Sequence, residues 1–317
     1  MRILDLFCGC GGFSLGFLLA NPRFQIDLAI DNDIRAINTY TTNIDVKKIM
    51  IENIQDVHSN EILEQMSSFP PDIILASPPC ESFSIANVNR KKFAYDRLYS
   101  DEKGRLVLDA IRIIVDLEPI AFVIENVAQV GTKEMQNFIL SEFRYSKFKR
   151  IYFNFLKAEE FGIPSQRTRV FISNIQLQSI VDPISATVGD AFQGLPDPSV
   201  ELFNHESVPL SPKLAKKVPK TAPGKALVYF SGSYKNAFRN YVRLSLNLPS
   251  PTVMGKSRFI HPSDSRLCTV REHARLMSYP DGFCFKGSME SQFNQIGESV
   301  PPLLSKAIAL QVLQKFH

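Results

Sequence analysis

The sequence predicts an α/β protein: a largely parallel sheet with helices on both faces, followed by a smaller irregular lobe. Three observations carry this expectation. Short apolar runs alternate with amphipathic stretches from residue 2 to about residue 175, as in consecutive βαβ units. A glycine-rich turn with Gly9, Gly11 and Gly12 follows the first of those runs, leading into a helix. After about residue 185, Pro196, Pro198, Pro209, Pro212, Pro219, Pro223, Pro249 and Pro251 exclude long helices and predict turns and short strands.

Taken in order, strands are expected over 2–7, 24–30, 48–51, 72–76, 121–124, 151–155 and 169–172, each a short apolar run bounded by polar or turn residues. Residues 105–117 carry apolar side chains at helical spacing, and 132–143 do so less strongly. Helical periodicity returns at 269–277 and 302–316, and the last helix is expected to pack back on the first lobe. The chain thus divides into a first domain over 1–184, a small domain over 185–285 and a returning segment over 286–317. No internal repeat or low-complexity tract interrupts this order.

Composition narrows the class. With 44% hydrophobic and 21% charged residues over 317 positions, the chain has the balance of a soluble globular protein. No run approaches the roughly 18 apolar residues of a membrane span, and the N-terminus enters a strand rather than a signal-peptide core, so an intracellular protein is expected. Cys8, Cys10, Cys80, Cys268 and Cys284 are odd in number and lack the ligand spacing of a zinc site, so neither a disulfide framework nor a metal is expected. The net charge of +4 is mild, but basic residues gather over 90–92, 213–225 and 239–271. Such clusters suit a polyanion, and equally well form solvated faces.

Four constellations carry chemistry. Ser77-Pro78-Pro79-Cys80 follows the apolar run 73–76, and two prolines end a strand abruptly, so that Cys80 projects from its carboxyl edge. Alone, Cys80 reads as readily as a buried structural residue. The glycine-rich turn lets backbone approach a ligand at a helix N-terminus, although it lacks the full dinucleotide spacing. Asp31 stands about 20 residues beyond it, where an acid accepts ribose hydroxyls; a surface turn or a helix cap is the alternative. Glu125, in Ile124-Glu125-Asn126-Val127, ends another apolar strand; it is either a desolvated acid held protonated or a cap of the next element. Arg167 and Arg169 precede a strand at period two, suited to phosphate or a base carbonyl, or to surface ion pairs.

FxGxGG at 7–12, PPC at 78–80, ENV at 125–127 and RxR at 167–169, in that order, resemble the DNA (cytosine-5) methyltransferases. Residues 266–275, followed by Tyr279-Pro280-Asp281, are similar to the family's RxLTxRExAR helix, with Cys268 in place of leucine. Gly297-Glu298-Ser299-Val300 resembles its closing GNSV motif. The resemblance spans nearly the whole chain. It implies a Rossmann-like S-adenosylmethionine-dependent methyltransferase sheet, with the irregular region as a target-recognition domain.

The resemblance further implies that Cys80 adds to C6 of a flipped cytosine, that Glu125 protonates or hydrogen-bonds N3, and that Arg167 and Arg169 steady the base and the cysteine region. S-adenosylmethionine, leaving as S-adenosylhomocysteine, would meet Phe7, Gly9, Gly11, Asp31, Asn53, Ile54, Pro78 and Ser299. Duplex DNA would meet Ser82 and Ser84, in a loop running to Leu98 that closes over the base. In the small domain, DNA would meet Arg239, Arg243 and Thr252, within recognition segments that also include Gly232-Ser233-Tyr234. The arginines there would read guanine or contact only phosphate. Glu81, Asn53, Ser165 and Glu298 depart from the usual Gln, Asp, Gln and Asn. The expectation is therefore a monomeric enzyme, of the compact prokaryotic or viral type and cytoplasmic, methylating a short duplex sequence, with a cognate restriction endonuclease acting separately. A transfer RNA cytosine-5 methyltransferase and a non-catalytic DNA-binding member are the alternatives.

Overall fold

In the computed structural model, residues 1–179, 186–198, 202–231 and 237–316 are described. Seven strands form the main sheet: β1 (Arg2–Leu6), β2 (Gln25–Asp31), β3 (Val46–Ile51), β4 (Ile73–Ala76), β5 (Ala121–Val127), β6 (Tyr152–Lys157) and β7 (Thr168–Ser173). Their order is β3-β2-β1-β4-β5-β7-β6. The first five are mutually parallel, while β7 runs antiparallel to both β5 and β6. Every residue of β4 and β5 is buried, which is why these strands read as unbroken apolar runs rather than alternating ones.

The helices are α1 (Gly12–Ala20), α2 (Ile34–Asn43), α3 (Ser59–Gln65), α4 (Leu106–Leu117), α5 (Lys133–Glu142), α6 (Val188–Phe192), α7 (Pro212–Ala215), α8 (Val270–Leu276), α9 (Met289–Glu298) and α10 (Pro302–Lys315). One apolar cluster gathers α1, α2, α8, α9 and α10 on one face of the sheet, and a second gathers α3, α4 and α5 on the other. Helices on both faces and the strand order agree with the predicted class. All seven predicted strands are present, with ends shifted by at most three residues. The strand predicted over 121–124 continues to Val127, so Glu125 lies within β5 rather than after it.

Sequence periodicity missed α2, α3 and α9. The Thr-rich segment Asn38–Asn43 of α2 is a weak helix former, but Asp33 caps the helix through the Arg35 amide, while Ile37 and Tyr40 bury its inner face. The irregular region contains β8 (Ala226–Ser231) and β9 (Ala237–Arg243), an antiparallel pair, with β10 (Phe259–Ile260) parallel to β9. Val242, Val253 and Phe259 join the apolar cluster of α1 and α10. The predicted 184/185 boundary falls within 180–185, and the predicted segment Gly232-Ser233-Tyr234 falls within 232–236; both lie outside the described residues.

The last helix packs on the first, as expected. Ser305 Oγ donates to the Phe13 carbonyl, and a Cβ at Gly16 would lie 2.2 Å from Ser305 Cβ and 2.5 Å from the Pro302 carbonyl oxygen. Gly16→Ala should therefore lower stability by about 1–3 kcal/mol, with Ser305→Gly recovering part of the loss in thermal unfolding.

His273, in α8, is 1% exposed, stacks on Phe259 at 5.1 Å between centroids and meets Phe293 edge-on at 4.8 Å. Burial lowers its pKa from 6.5 to about 4. The unfolded chain then binds the proton more readily, so this group's contribution is present above pH 6.5 and lost as pH falls toward 4. Comparing denaturation of the protein and its His273→Gln variant across that window should isolate a difference of about 3 kcal/mol.

Candidate active site at the carboxyl edge of the sheet

Parallel strands bring their carboxyl ends to one edge, and the chain sets its chemically distinctive residues there. β1 ends in the glycine-rich turn, β2 at Asp31, and β4 at Ser77-Pro78-Pro79-Cys80. Glu125 stands near the end of β5. Because β7 is antiparallel, its beginning rather than its end reaches the same edge, and so do Arg167 and Arg169.

The turn after β1 is conformationally demanding. Phe7 (φ 56°), Gly9 (φ 53°) and Gly11 (φ 94°) all occupy the left-handed region, which is strained for Phe7 and natural for glycine. Asp31 holds the turn: its Oδ2 accepts from the Gly9 amide at 2.9 Å and its Oδ1 from the Asp33 amide at 2.8 Å. A Cβ built on Gly9 meets nothing within 4 Å, so the turn borders open space. Burial, with Asp33 nearby, raises the Asp31 pKa. Beneath the turn lies a polar group that the sequence did not single out. Asp5 is fully buried, its Oδ2 accepts from Ser14 Oγ at 2.6 Å, and Tyr40 donates to Ser14 Oγ at 2.8 Å. Burial pushes its pKa up to about 7.

Beside this turn, the exposed Asn53 accepts at Oδ1 from Asn32 Nδ2 at 2.7 Å, leaving its own amide nitrogen free to face a ligand. Ile54 is buried. Pro78 is held by Asn126, whose Nδ2 donates to the Pro78 carbonyl at 3.1 Å, so the second residue of the ENV motif ties β5 to the turn that presents Cys80.

Cys80 is partly exposed and a free thiol. Its pKa is raised, first by burial, with Arg169 and Arg167 pulling it down and Glu125 and Glu298 pushing it up. Arg169 Nε lies 3.0 Å from Glu125 Oε1, a diagonal pair across the β5–β7 ladder in which Val127 faces Arg169. The contact is an ion pair without straight hydrogen-bond geometry, so Oε1 keeps capacity for another partner. Arg167 does something different. Fully buried, it donates Nη1 to the carbonyls of Val253 (2.8 Å) and Gly297 (3.0 Å), and Nη2 to that of Ser299 (2.9 Å).

The residues expected to meet DNA divide as well. Arg239 is exposed, with one long bond of 3.4 Å to the Gly224 carbonyl. Arg243 is engaged by the carbonyls of Pro262, Val218 and Thr221. Thr252 is half-buried and donates to the Gln166 carbonyl. Ser84 accepts from the Ala86 amide at 3.3 Å, whereas Ser82 is buried and donates to Asp101. The loop beyond Cys80 is anchored rather than free, since Phe83 and Leu98 are fully buried.

A doubly wound sheet with an antiparallel seventh strand, a glycine turn answered by an acid, and a thiol beside a Glu–Arg pair define the Rossmann-like methyltransferase class. The family model for C-5 cytosine-specific DNA methylases matches residues 1–314, and the chain belongs to that family; it is a DNA (cytosine-5-)-methyltransferase. It is 42% identical to the "Putative type II methyltransferase M.MJ0563P" of Methanocaldococcus jannaschii, over 98% of this chain and 99% of that one. It is 31% identical to the type II methyltransferase M1.HphI of Haemophilus parahaemolyticus, over 99% and 87%. Among solved structures, the fold is similar to a prophage-encoded E. coli protein (TM-score 0.79, 24% identity, 99% of both chains). It is also similar to the S. pombe Dnmt2 methyltransferase (TM-score 0.68, 16% identity, 100% of both).

The Arg169 cation lowers the Cys80 pKa against its burial, so Arg169→Gln should raise it further. The pH midpoint for iodoacetamide alkylation of Cys80, followed by peptide mass spectrometry, should move upward in that variant.

Proposed function

We propose that this protein methylates C5 of cytosine within a short specific sequence of duplex DNA, using S-adenosylmethionine, through a flipped base and a covalent bond between Cys80 and C6. The observation that carries this reading is the grouping of Cys80 with the Glu125–Arg169 pair at the carboxyl edge of the sheet. Cytosine C5 is a weak nucleophile. Addition of the Cys80 thiolate to C6 forms an S–C6 bond and moves the ring electrons toward C5, which then accepts a methyl group.

Glu125, buried and held in place by Arg169, protonates or hydrogen-bonds N3 and stabilises the charge that develops there. Loss of the C5 proton to solvent, return of the N3 proton to Glu125 and departure of Cys80 as the thiolate restore the aromatic ring and both side chains. The base must leave the duplex to reach this edge, at a cost of a few kcal/mol. Ser84, Arg239 and Thr252 lie outside the buried core and are suited to the backbone or groove; Arg243, held by the carbonyls of Pro262, Val218 and Thr221, braces the end of β9.

The methyl donor fits the opposite half of the edge. Gly9 borders open space at the turn that also carries Phe7 and Gly11; there Asp31 would accept the ribose, Asn53 and Ile54 would border the base, and Pro78 and Ser299 would meet the methyl-donor end. The bound donor supplies an activated methyl group on a sulfonium. The small domain over 185–285 is the part that reads the target, with the exposed β8–β9 pair as its surface. The protein acts as an intracellular monomer, and a restriction endonuclease of the same specificity is its functional counterpart.

Incubation with genomic DNA and S-adenosylmethionine, followed by bisulfite sequencing, should leave cytosines in one short motif protected. Cys80→Ala should abolish protection, and Glu125→Gln should lower the methylation rate by about 10²- to 10⁴-fold. Protection no greater than with Cys80→Ala, together with methyl incorporation into transfer RNA, would move the substrate to RNA.

A further inference from the structure

The segment after the nucleophile makes contacts that the proposed chemistry does not use. Residues 82–101 leave the sheet edge and return to it, and two side-chain pairs join their ends in antiparallel order. Lys103 Nζ lies 2.6 Å from Glu81 Oε2, and the Ser82 hydroxyl donates to Asp101 Oδ1. The same Asp101 oxygen accepts from the Gly104 amide at 3.0 Å, and the Asp101 carbonyl accepts from the Arg105 amide, also at 3.0 Å. One carboxylate thus joins the exit of the Cys80 turn to the entry of α4.

Ser82 lies inside that turn. The Cys80 carbonyl accepts from the amides of Phe83 and Ser84, both at 3.1 Å, so the residues on either side of Ser82 share one hydrogen-bonded loop. With Ser82 5% exposed and Phe83 fully buried, the turn can shift only if the Ser82–Asp101 bond is lost or carried along. The loop is also cross-braced. The buried Arg97 donates Nη1 to the carbonyls of Lys91 (2.9 Å) and Lys92 (2.7 Å), and Lys91 Nζ reaches the Ser100 carbonyl at 2.6 Å. Gly104 is required at the neck, because a Cβ there would lie 1.7 Å from the Arg97 carbonyl oxygen. The loop is also packed onto the body: Phe83, Ala94 and Leu98 join the apolar cluster of α4 and α5, and the Tyr99 hydroxyl donates to Glu142 at 2.6 Å.

We propose that Asp101 is a positioning residue for the Cys80 thiol: through Ser82 it fixes the turn that Cys80 opens, and it closes the neck of the loop 82–101 at the entry of α4. This deepens the proposed function and rests on it for the role of Cys80. Ser82 is accordingly a latch within the protein rather than a contact to DNA.

Ser82→Ala, Asp101→Ala and Asp101→Asn in the full chain test it. Asparagine keeps the Oδ1 acceptor, so it should preserve both bonds. In single turnover with S-adenosylmethionine and a 5-fluorocytosine duplex, the two alanine variants should form the covalent adduct about tenfold or more slowly. Their affinity for the duplex should stay at the wild-type value, and Asp101→Asn should recover most of the rate. Wild-type rates in both alanine variants would overturn the proposal. So would an Asp101→Asn variant as slow as Asp101→Ala, or a loss that tracks duplex affinity. A wild-type protein that traps no duplex would instead overturn the proposed function. In that case alkylation of Cys80 in the free protein still decides: a several-fold change in rate in both alanine variants supports the latch, and an unchanged rate overturns it.

Discussion

Arg167 is the side chain on which the geometry of the site depends. A guanidinium this deeply buried is costly to desolvate, and it persists because three carbonyls from two distant parts of the chain receive its protons. Those carbonyls belong to Val253, leaving the small sheet, and to Gly297 and Ser299, flanking the end of α9. The residue itself immediately precedes β7. One cation therefore joins the sheet edge, the irregular lobe and the closing segment at a point. The close packing follows from this. A Cβ at Gly297 would lie 2.1 Å from the Gly255 nitrogen, so only glycine allows the two segments to approach as Arg167 requires.

The antiparallel β7 has a consequence of the same kind. In an all-parallel sheet, a residue that begins a strand lies at the far edge from the ligands. Reversing one strand brings its beginning to the near edge, so two arginines only two positions apart can face the thiol and the carboxylate of β4 and β5. They divide the work by depth. Arg167 turns into the protein, where three carbonyls receive its terminal N–H groups, whereas Arg169 stays 3.0 Å from Glu125 and within the field of Cys80.

What could be read from sequence follows from the same physics. Strands buried on both faces, β4 and β5, are unbroken apolar runs, while the partly buried β3 and β6 were read from shorter apolar stretches; the strand ends carried residues out of character with a core: a cysteine after two prolines, a glutamate in an apolar strand, an acid beyond a glycine turn. The helices α2, α3 and α9 were not legible, because tertiary packing stabilises them more than their own propensities do. The partners of Arg167 and Arg243 were hidden for another reason. Both bind backbone carbonyls, and every residue has one, so no residue type marks the position. Ser82 was read as a contact to DNA because its place in the motif is visible and its burial is not. Asp101 gave no signal at all, since an Asp followed by Glu102-Lys103-Gly104 looks like an ordinary surface turn.

Two departures from the family pattern prove to be neighbours. Glu81, which adds a negative charge where DNA would approach, is paired with Lys103 at 2.6 Å, so the charge it adds is largely neutralised locally. As an exposed pair the contact contributes only about 0–1 kcal/mol to stability, and its effect is on the local field rather than on folding. Glu298, from the opposite side of the edge, is pushed to a higher pKa by burial and then by Glu81, with Lys103 opposing. It also acts on the Cys80 thiol in the same upward direction as Glu125. One lysine therefore screens two carboxylates 217 positions apart in sequence, and the two substitutions are not independent. Neutralising Glu81 alone would release Lys103 to Glu298, while neutralising Glu298 alone would relieve the thiol of one opposing charge and leave the neck of the loop intact. The arginines act on the nucleophile directly, and Lys103 acts on it only through the carboxylates it screens.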